Sequence, residues 1–179
     1  VYEAVKTAIA LGYRHIDCAR IYGNEAEIGK AFAECFDQGL VTREDLWVTS
    51  KLWNDSHAPG DVQSGLEATL KDLQLDYLNL FLMHWPVALK RGASFPLTPE
   101  KLVSLDEVPL EATWGAMESL VDKGLCRHIG VSNFSLAKLQ ALMTGAKLKP
   151  EMNQVELHPY LQQNDLLGFC HQSGIHMTA

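Results

Sequence analysis

The sequence predicts an α/β fold: a parallel sheet wrapped as a (β/α)8 barrel, of which these residues supply an incomplete part. Three observations predict it. Six short apolar runs alternate with six segments of helical periodicity along the 179 residues, and crossovers of that length join parallel strands. The runs are continuously apolar rather than alternating, as expected of strands covered on both faces. Polar residues that can do chemistry stand at the carboxyl ends of different runs, which is where a closed barrel gathers its active site. An open doubly wound sheet would alternate in the same way, but no GxGxxG follows any strand, and Gly23-Asn24-Glu25 after the first is not that fingerprint.

The elements follow in order. Val1 to Leu11 is a helix with Val1, Val5, Ala8 and Ile9 on one face, closed by Gly12. Residues 14–19 form a strand. Residues 25–36 form a helix, with Asn24 as N-cap and Ile28, Ala31, Phe32 and Cys35 on one stripe. A strand over 46–52, a helix over 61–73 and a strand over 77–84 come next. The long connection 85–109 holds Pro86, Gly92, Pro96, Pro99 and Pro109, too many breakers for a helix, and reads as a lid or binding loop. After it come a helix over 110–123 ended by Gly124, a strand over 128–132, a helix over 135–143 and a strand over 152–157. A helix over 164–173 ended by Gly174 and a strand over 175–179 complete the series.

Composition narrows the function classes. The chain is 47% hydrophobic, in the globular range, and has no apolar run near the roughly 18 residues of a membrane span. Net charge is −7 and the only adjacent basic pair is Lys90-Arg91, so neither a nucleic acid nor an anionic membrane is expected as partner. Four cysteines, Cys18, Cys35, Cys126 and Cys170, lack metal-ligand spacing and read as buried thiols of a reducing compartment, which implies a cytoplasmic protein. No two histidines have metal spacing, and no metal site is expected. A whole barrel takes about 250 residues. Residues 1–179 therefore read as one partial barrel domain, with a strand expected before Val1 and at least a helix and a βα unit after Ala179. The segment alone is expected to be unstable and inactive, and the intact protein to be a monomer that acts on a small molecule.

Asp17, Tyr22, Lys51 and His84 are the candidate chemistry. A carboxylate at the end of an apolar strand is part-buried and wants a cation, which Lys51 can supply from the next strand. An ammonium near Tyr22 favours the phenolate, so the phenol gives up its proton more readily to a forming alkoxide. His84 can hydrogen-bond a carbonyl oxygen and fix its direction. Taken alone, Asp17 with Lys51 is also what a core ion pair looks like; Tyr22 and His84 beside it favour catalysis. Trp53 and Trp85 stand just past their strands, as walls of an apolar substrate pocket shared with His84 or as rim packing. Ser132 and Asn133 either meet a ligand or cap the next helix, where Ser135 is the other capping candidate. Gln154, a polar amide ending an apolar strand, wants a partner. No side chain donates a hydride, so reduction of a carbonyl would need a cofactor.

The segment Gly12-Tyr13-Arg14-His15-Ile16-Asp17 through Tyr22-Gly23-Asn24-Glu25 resembles the signature of the aldo-keto reductase family, and most of all its aldose and aldehyde reductases. Val48 to Trp53, Leu80 to Pro86, Ile129 to Phe134 and Asn153 to Tyr160 are similar to four further segments of that family, in order and correctly spaced. The resemblance implies Tyr22 as proton donor, Lys51 and Asp17 as the pair that tunes it, and His84 as substrate orienter. It implies a nicotinamide cofactor, usually NADPH and possibly NADH in kind, across the barrel mouth near Asp17, with Ser132, Asn133 and Gln154 at its carboxamide. His158-Pro159-Tyr160 matches too and reads as structural. In the family, a ring-stacking tyrosine and a basic 2′-phosphate site follow the stretch that ends at Ala179. The implied activity is reduction of aldehydes and ketones to alcohols. The other reading is a non-catalytic barrel of the same superfamily serving as a regulatory or binding subunit, and the complete set of four residues favours the enzyme.

Overall fold

The computed structural model describes residues 1–93 and 95–179. In chain order it contains α1 (Tyr2–Ala10), β1 (His15–Asp17), α2 (Glu25–Asp37), β2 (Trp47–Leu52), α3 (Pro59–Leu73), β3 (Leu78–Met83), the short strands β4 (Ala88–Leu89) and β5 (Leu102–Val103), and α4 (Leu110–Asp122). Then follow β6 (Cys126–Ser132), α5 (Leu136–Gly145), β7 (Met152–Gln154), α6 (Asn164–Ser173) and β8 (His176–Thr178). Single 3₁₀ turns occupy Arg20–Tyr22, Asn54–Ser56 and Pro99–Lys101. Six strands form one sheet, in the order β1-β2-β3-β6-β7-β8, with every pairing parallel. The alternation therefore gave the right strands in the right order.

Side-chain alternation divides β2 between two environments. Ser50 points to the helical layer, where its hydroxyl donates to Glu25 of α2 at 2.6 Å. Thr49 and Lys51 consequently face the concave side. The sheet is strongly curled. Neighbouring strands stand about 4.8 Å apart, so β1 and β7, four intervals apart in the sheet order, would be about 19 Å apart if the sheet were flat. Gln154 of β7 nevertheless donates a hydrogen bond to Asp17 of β1 at 2.8 Å. Inside the curl, Gly130 of β6 has no room for a side chain: a Cβ there would lie 2.7 Å from the Met152 carbonyl oxygen.

The helices cover the convex side. Ile28, Phe32 and Cys35 of α2, Val62, Leu66 and Leu73 of α3, and Trp114, Met117 and Leu120 of α4 bury against β-strand residues such as Val48, Phe81 and Ile129 in one core. Trp114 is satisfied as well as buried, its indole N–H donating to the Leu148 carbonyl at 2.9 Å. All four cysteines are buried free thiols. Among the described residues no helix is long and apolar enough to cross a membrane, and no cluster of three metal-ligating side chains occurs.

Three expectations need correction. Strands expected over 14–19, 152–157 and 175–179 are three residues each. Their ladders continue by single bonds, Cys18 N to Thr49 O and Val155 N to Thr178 O, before the chain turns aside at the carboxyl ends. The connection 85–109 is not without regular structure: β4 and β5 pair antiparallel, Ala88 with Val103 and Leu89 with Leu102. Prolines bar a helix there but permit two-residue strands between them. Asn24 does precede α2 as N-cap, yet its side chain makes no capping bond.

Candidate active site

The site assembles where β1, β2 and β3 end. Lys51, next to last in β2, is 1% exposed. Its Nζ is in direct contact with Asp17 Oδ1 at the end of β1 and donates to the Cys18 carbonyl at 3.0 Å. A buried ammonium is tolerated only with such partners. Asp17 keeps about a third of its side chain in solvent and spends its second oxygen on Gln154. Tyr22 ends the 3₁₀ turn after β1, which Gly23 closes in a left-handed conformation at φ 66°. That turn sets the Tyr22 ring 5.4 Å, centroid to Nζ, from Lys51. The phenol is more than half exposed, at the open end of the group.

His84 is the first residue past β3, and its backbone N–H still reaches Leu52 O at 3.3 Å. Its ring stands edge-on to Tyr22 at 6.3 Å and to Trp53 at 5.4 Å, with Trp85 nearly parallel at 6.5 Å. Burial, reinforced by the Lys51 charge and opposed by Asp17, holds its pKa down at about 4. It is therefore uncharged at neutral pH, with one N–H to donate and one nitrogen to accept. Cys18 is no nucleophile here: burial, with Glu25 and Asp17 adding to it against Lys51, pushes its thiol up to about 12.

A second row of polar groups continues from Asp17 around the curl. Ser132, ending β6, donates its hydroxyl to the Gln154 carbonyl at 2.8 Å. Asn133 follows with φ 62°, a left-handed conformation that asparagine tolerates better than most residues. Its Nδ2 donates to the His84 carbonyl at 2.9 Å, tying β6 to the end of β3. The helix cap is Ser135, which accepts from Lys138 N, so Ser132 and Asn133 are not needed for capping. Among the described residues no hydrogen bond is made by Asn133 Oδ1 or Gln154 Oε1, and Asn133 lines an open cleft of about 330 Å³ with Trp85, Ser135, Val155 and Glu156.

All nine residues singled out in the sequence thus lie at one end of the sheet, with Trp85 between Asn133 in one cleft and Trp53 in the other. Three others were missed. Phe95 and Leu97 join Trp53, Asn54, Trp85 and Val87 around an apolar cavity of about 250 Å³. Nothing in their local sequence signals this, since the path of the long connection places them. Glu25 is 2% exposed and accepts from Ser50, Thr69 and Arg20, joining α2 to β2 and α3 directly behind Lys51. At the start of a helix it had the appearance of an ordinary solvated first-turn acid.

A curled parallel sheet with an Asp-Lys-Tyr-His cluster at its carboxyl edge defines part of a (β/α) barrel scaffold. The model of the Aldo/keto reductase family matches residues 1–179, and the chain belongs to that family. It is 55% identical to Aldo/keto reductase slr0942 of Synechocystis sp. over 179 residues, 100% of this chain and 55% of that protein. It is 51% identical to Aldo-keto reductase family 1 member A1 of Gallus gallus over 181 residues, again 100% and 55%. Among solved structures, the aldose reductases of Giardia lamblia and Schistosoma japonicum superpose with TM-scores of 0.94 and 0.93 at 47% and 42% identity, each covering 99% of this chain and 60% of theirs. The chain spans about half the length of the curated relatives it matches, 55% in both cases.

Proposed function

We propose that the protein reduces aldehydes and ketones to alcohols with a nicotinamide cofactor, NADPH in first place and NADH as the other candidate, and that Tyr22 is the proton donor. The observation that carries this is the placement of Lys51: a nearly inaccessible ammonium paired with Asp17 and set 5.4 Å from the ring of an exposed tyrosine. A bare core ion pair would not need a phenol at its open end. The relatives are named as aldo/keto and aldose reductases, which supports the same class of reaction.

The polar row suits the nicotinamide end of such a cofactor. A carboxamide offers two N–H donors and one acceptor oxygen, and Asn133 Oδ1 and Gln154 Oε1 are accepting atoms that no described residue engages. Ser132 can turn its hydroxyl between Gln154 O and the carboxamide. When bound, the cofactor supplies the hydride that no side chain can. The chain's own residues do the rest. Neutral His84 donates its N–H to the carbonyl oxygen and aligns it. Tyr22 gives its phenolic proton to that oxygen as negative charge develops, and the C=O becomes CH–OH. Lys51 then faces the phenolate that remains, while Asp17 holds the lysine in place. Trp53, Trp85 and Phe95 exclude water from an apolar substrate body.

Tyr22→Phe tests the assignment. The ring and its packing persist while the proton is lost, so aldehyde turnover followed by NADPH absorbance should fall by about 10²–10⁴-fold. NADPH binding, read by fluorescence, should be unchanged. Turnover close to wild type would remove Tyr22 from the mechanism, whereas absence of aldehyde turnover in the unmutated intact protein would return it to the non-catalytic reading.

A further inference from the structure

The proposed reaction depends on a spacing, that of the Lys51 ammonium from the Tyr22 ring, and the two residues belong to different elements. Lys51 stands in β2, and Tyr22 on the 3₁₀ turn that follows β1. On the convex side of the sheet lies Glu25, whose side chain no step of that reaction uses. Its Oε1 accepts from the hydroxyl of Ser50, the residue before Lys51, at 2.6 Å. Its Oε2 accepts from the Thr69 hydroxyl of α3 at 3.0 Å and pairs with Arg20 at 3.4 Å. Arg20 opens the turn that Tyr22 ends, and Glu25 follows Tyr22 by three residues. The Glu25 side chain therefore closes a loop around Tyr22 and ties that loop to the strand residue next to Lys51. Arg20 also contacts Asp72, so the segment 20–25 is moored to α3 at both ends.

Stability alone does not call for such a group. Glu25 is 2% exposed, and apolar residues of the same volume often stabilise a core as well as buried ions do, or better. Two of its partners are neutral hydroxyls, and the third, Arg20, is shared with Asp72. What the carboxyl group does supply is direction, since both oxygens are engaged from separate elements. Ser50 and Lys51 are neighbours on opposite faces of one strand, so whatever fixes Ser50 also fixes where Lys51 starts. We propose that Glu25 is a positioning residue for Lys51: it holds β2 in register with the turn that carries Tyr22, and so sets the distance between ammonium and phenol. It works through Ser50 from the convex side, not by contact with the reacting atoms. The inference rests on the reading of Lys51 and Tyr22 as the proton-donating pair.

The test is a double-mutant cycle on aldehyde turnover in the intact protein. Glu25→Gln keeps the shape and one acceptor oxygen for Ser50, but sets an NH₂ group against Arg20. Because rate is steep in placement, kcat should fall by roughly tenfold, with KM for the aldehyde and NADPH affinity, read by fluorescence, unchanged. Lys51→Met has no ammonium to place, so adding Glu25→Gln to it should cost less than about twofold more. A residue that only kept the fold would lower kcat by the same factor in both backgrounds, and that outcome overturns the proposal. An unchanged kcat in Glu25→Gln overturns it too, as does a loss that falls on KM or on NADPH affinity instead. Should Glu25→Gln not fold, Ser50→Ala, which removes the bond from the strand side, takes its place in the cycle under the same criteria. The two readings fail separately. Full turnover in Lys51→Met would end the role of Lys51 and this proposal with it, whereas an additive cycle with a damaged Lys51→Met would overturn Glu25 alone.

Discussion

Lys51 gives up nearly all its hydration and receives in return one carboxylate, one carbonyl and the face of a ring. Its removal should therefore be felt in the reaction before the fold. In Lys51→Met the apolar stem is kept, and Asp17, a third exposed and still bonded to Gln154, stays hydrated. We expect turnover to drop by roughly 10²-fold or more, while thermal melting moves by only a few degrees. A variant that melts far lower yet keeps its turnover while folded would show Lys51 to be structural. The two buried histidines, His57 and His84, make a separate prediction about acid. Each has a folded pKa near 4, from an ordinary 6.5, so between those values the unfolded chain binds more protons than the folded one. Stability is then full above about pH 6.5 and is lost as pH falls toward 4. At ~1.4 kcal/mol per pKa unit, His57, almost wholly buried, accounts for about 3 kcal/mol of that loss. Urea denaturation at pH 7 and pH 4.5 measures it, and His57→Gln should flatten the dependence. At this scale the sequence was most legible where polar residues stand at strand ends, as for Asp17, Tyr22, Lys51 and His84, which the structure brings together. It was least legible for His57 and Glu25, whose roles come from burial that no local pattern reports.

Elements were legible where periodicity is long. The apolar stripes of α2, α3 and α4 needed no tertiary information, and Gly124 and Gly174 marked helix ends through the left-handed conformation both adopt. The short strands were overdrawn, because apolar residues go on past the last ladder bond into the mouth, as Val155 does. The β4–β5 pair was not foreseen, since two-residue strands carry no periodicity. Contact between elements was also invisible from sequence, and Gly29 shows why it matters. It lies mid-helix in α2, where glycine is intrinsically unfavourable by about 1 kcal/mol relative to alanine. Yet a Cβ there would come within 2.2 Å of the Asp72 carbonyl oxygen in α3. Backbone, not a flexible side chain, is what it would strike. Gly29→Ala should thus destabilise despite its better helix propensity, by the ~1–3 kcal/mol typical of overpacking. Chemical denaturation of the pair of proteins would show it, and a more stable alanine variant would mean that α2 and α3 can separate freely.

Across the whole molecule, order in the sheet followed from alternation and crossover length, and its curl was expected as that of a barrel, with no strand pattern to report it directly. Each strand-end residue could be assigned to a mouth only on the assumption that the sheet curls, and the Asp17–Gln154 bond is the direct sign that it does. That bond spans 137 positions of sequence. It has a consequence in time as well as in space. The two side chains cannot meet until the intervening strands are laid side by side, and long-range closures of this kind come late in folding. A contact made after the rate-limiting barrier acts on escape from the native state rather than on arrival. Gln154→Leu should consequently leave the refolding rate nearly untouched and speed unfolding about fivefold, for the ~1 kcal/mol of a single net hydrogen bond. Stopped-flow unfolding and refolding arms would separate the two; a slowed refolding arm would place the closure of the arc before the barrier. The hydrogen bond that brings Gln154 to Asp17 would then also act as a kinetic latch, setting how long the assembled mouth lasts once it has formed.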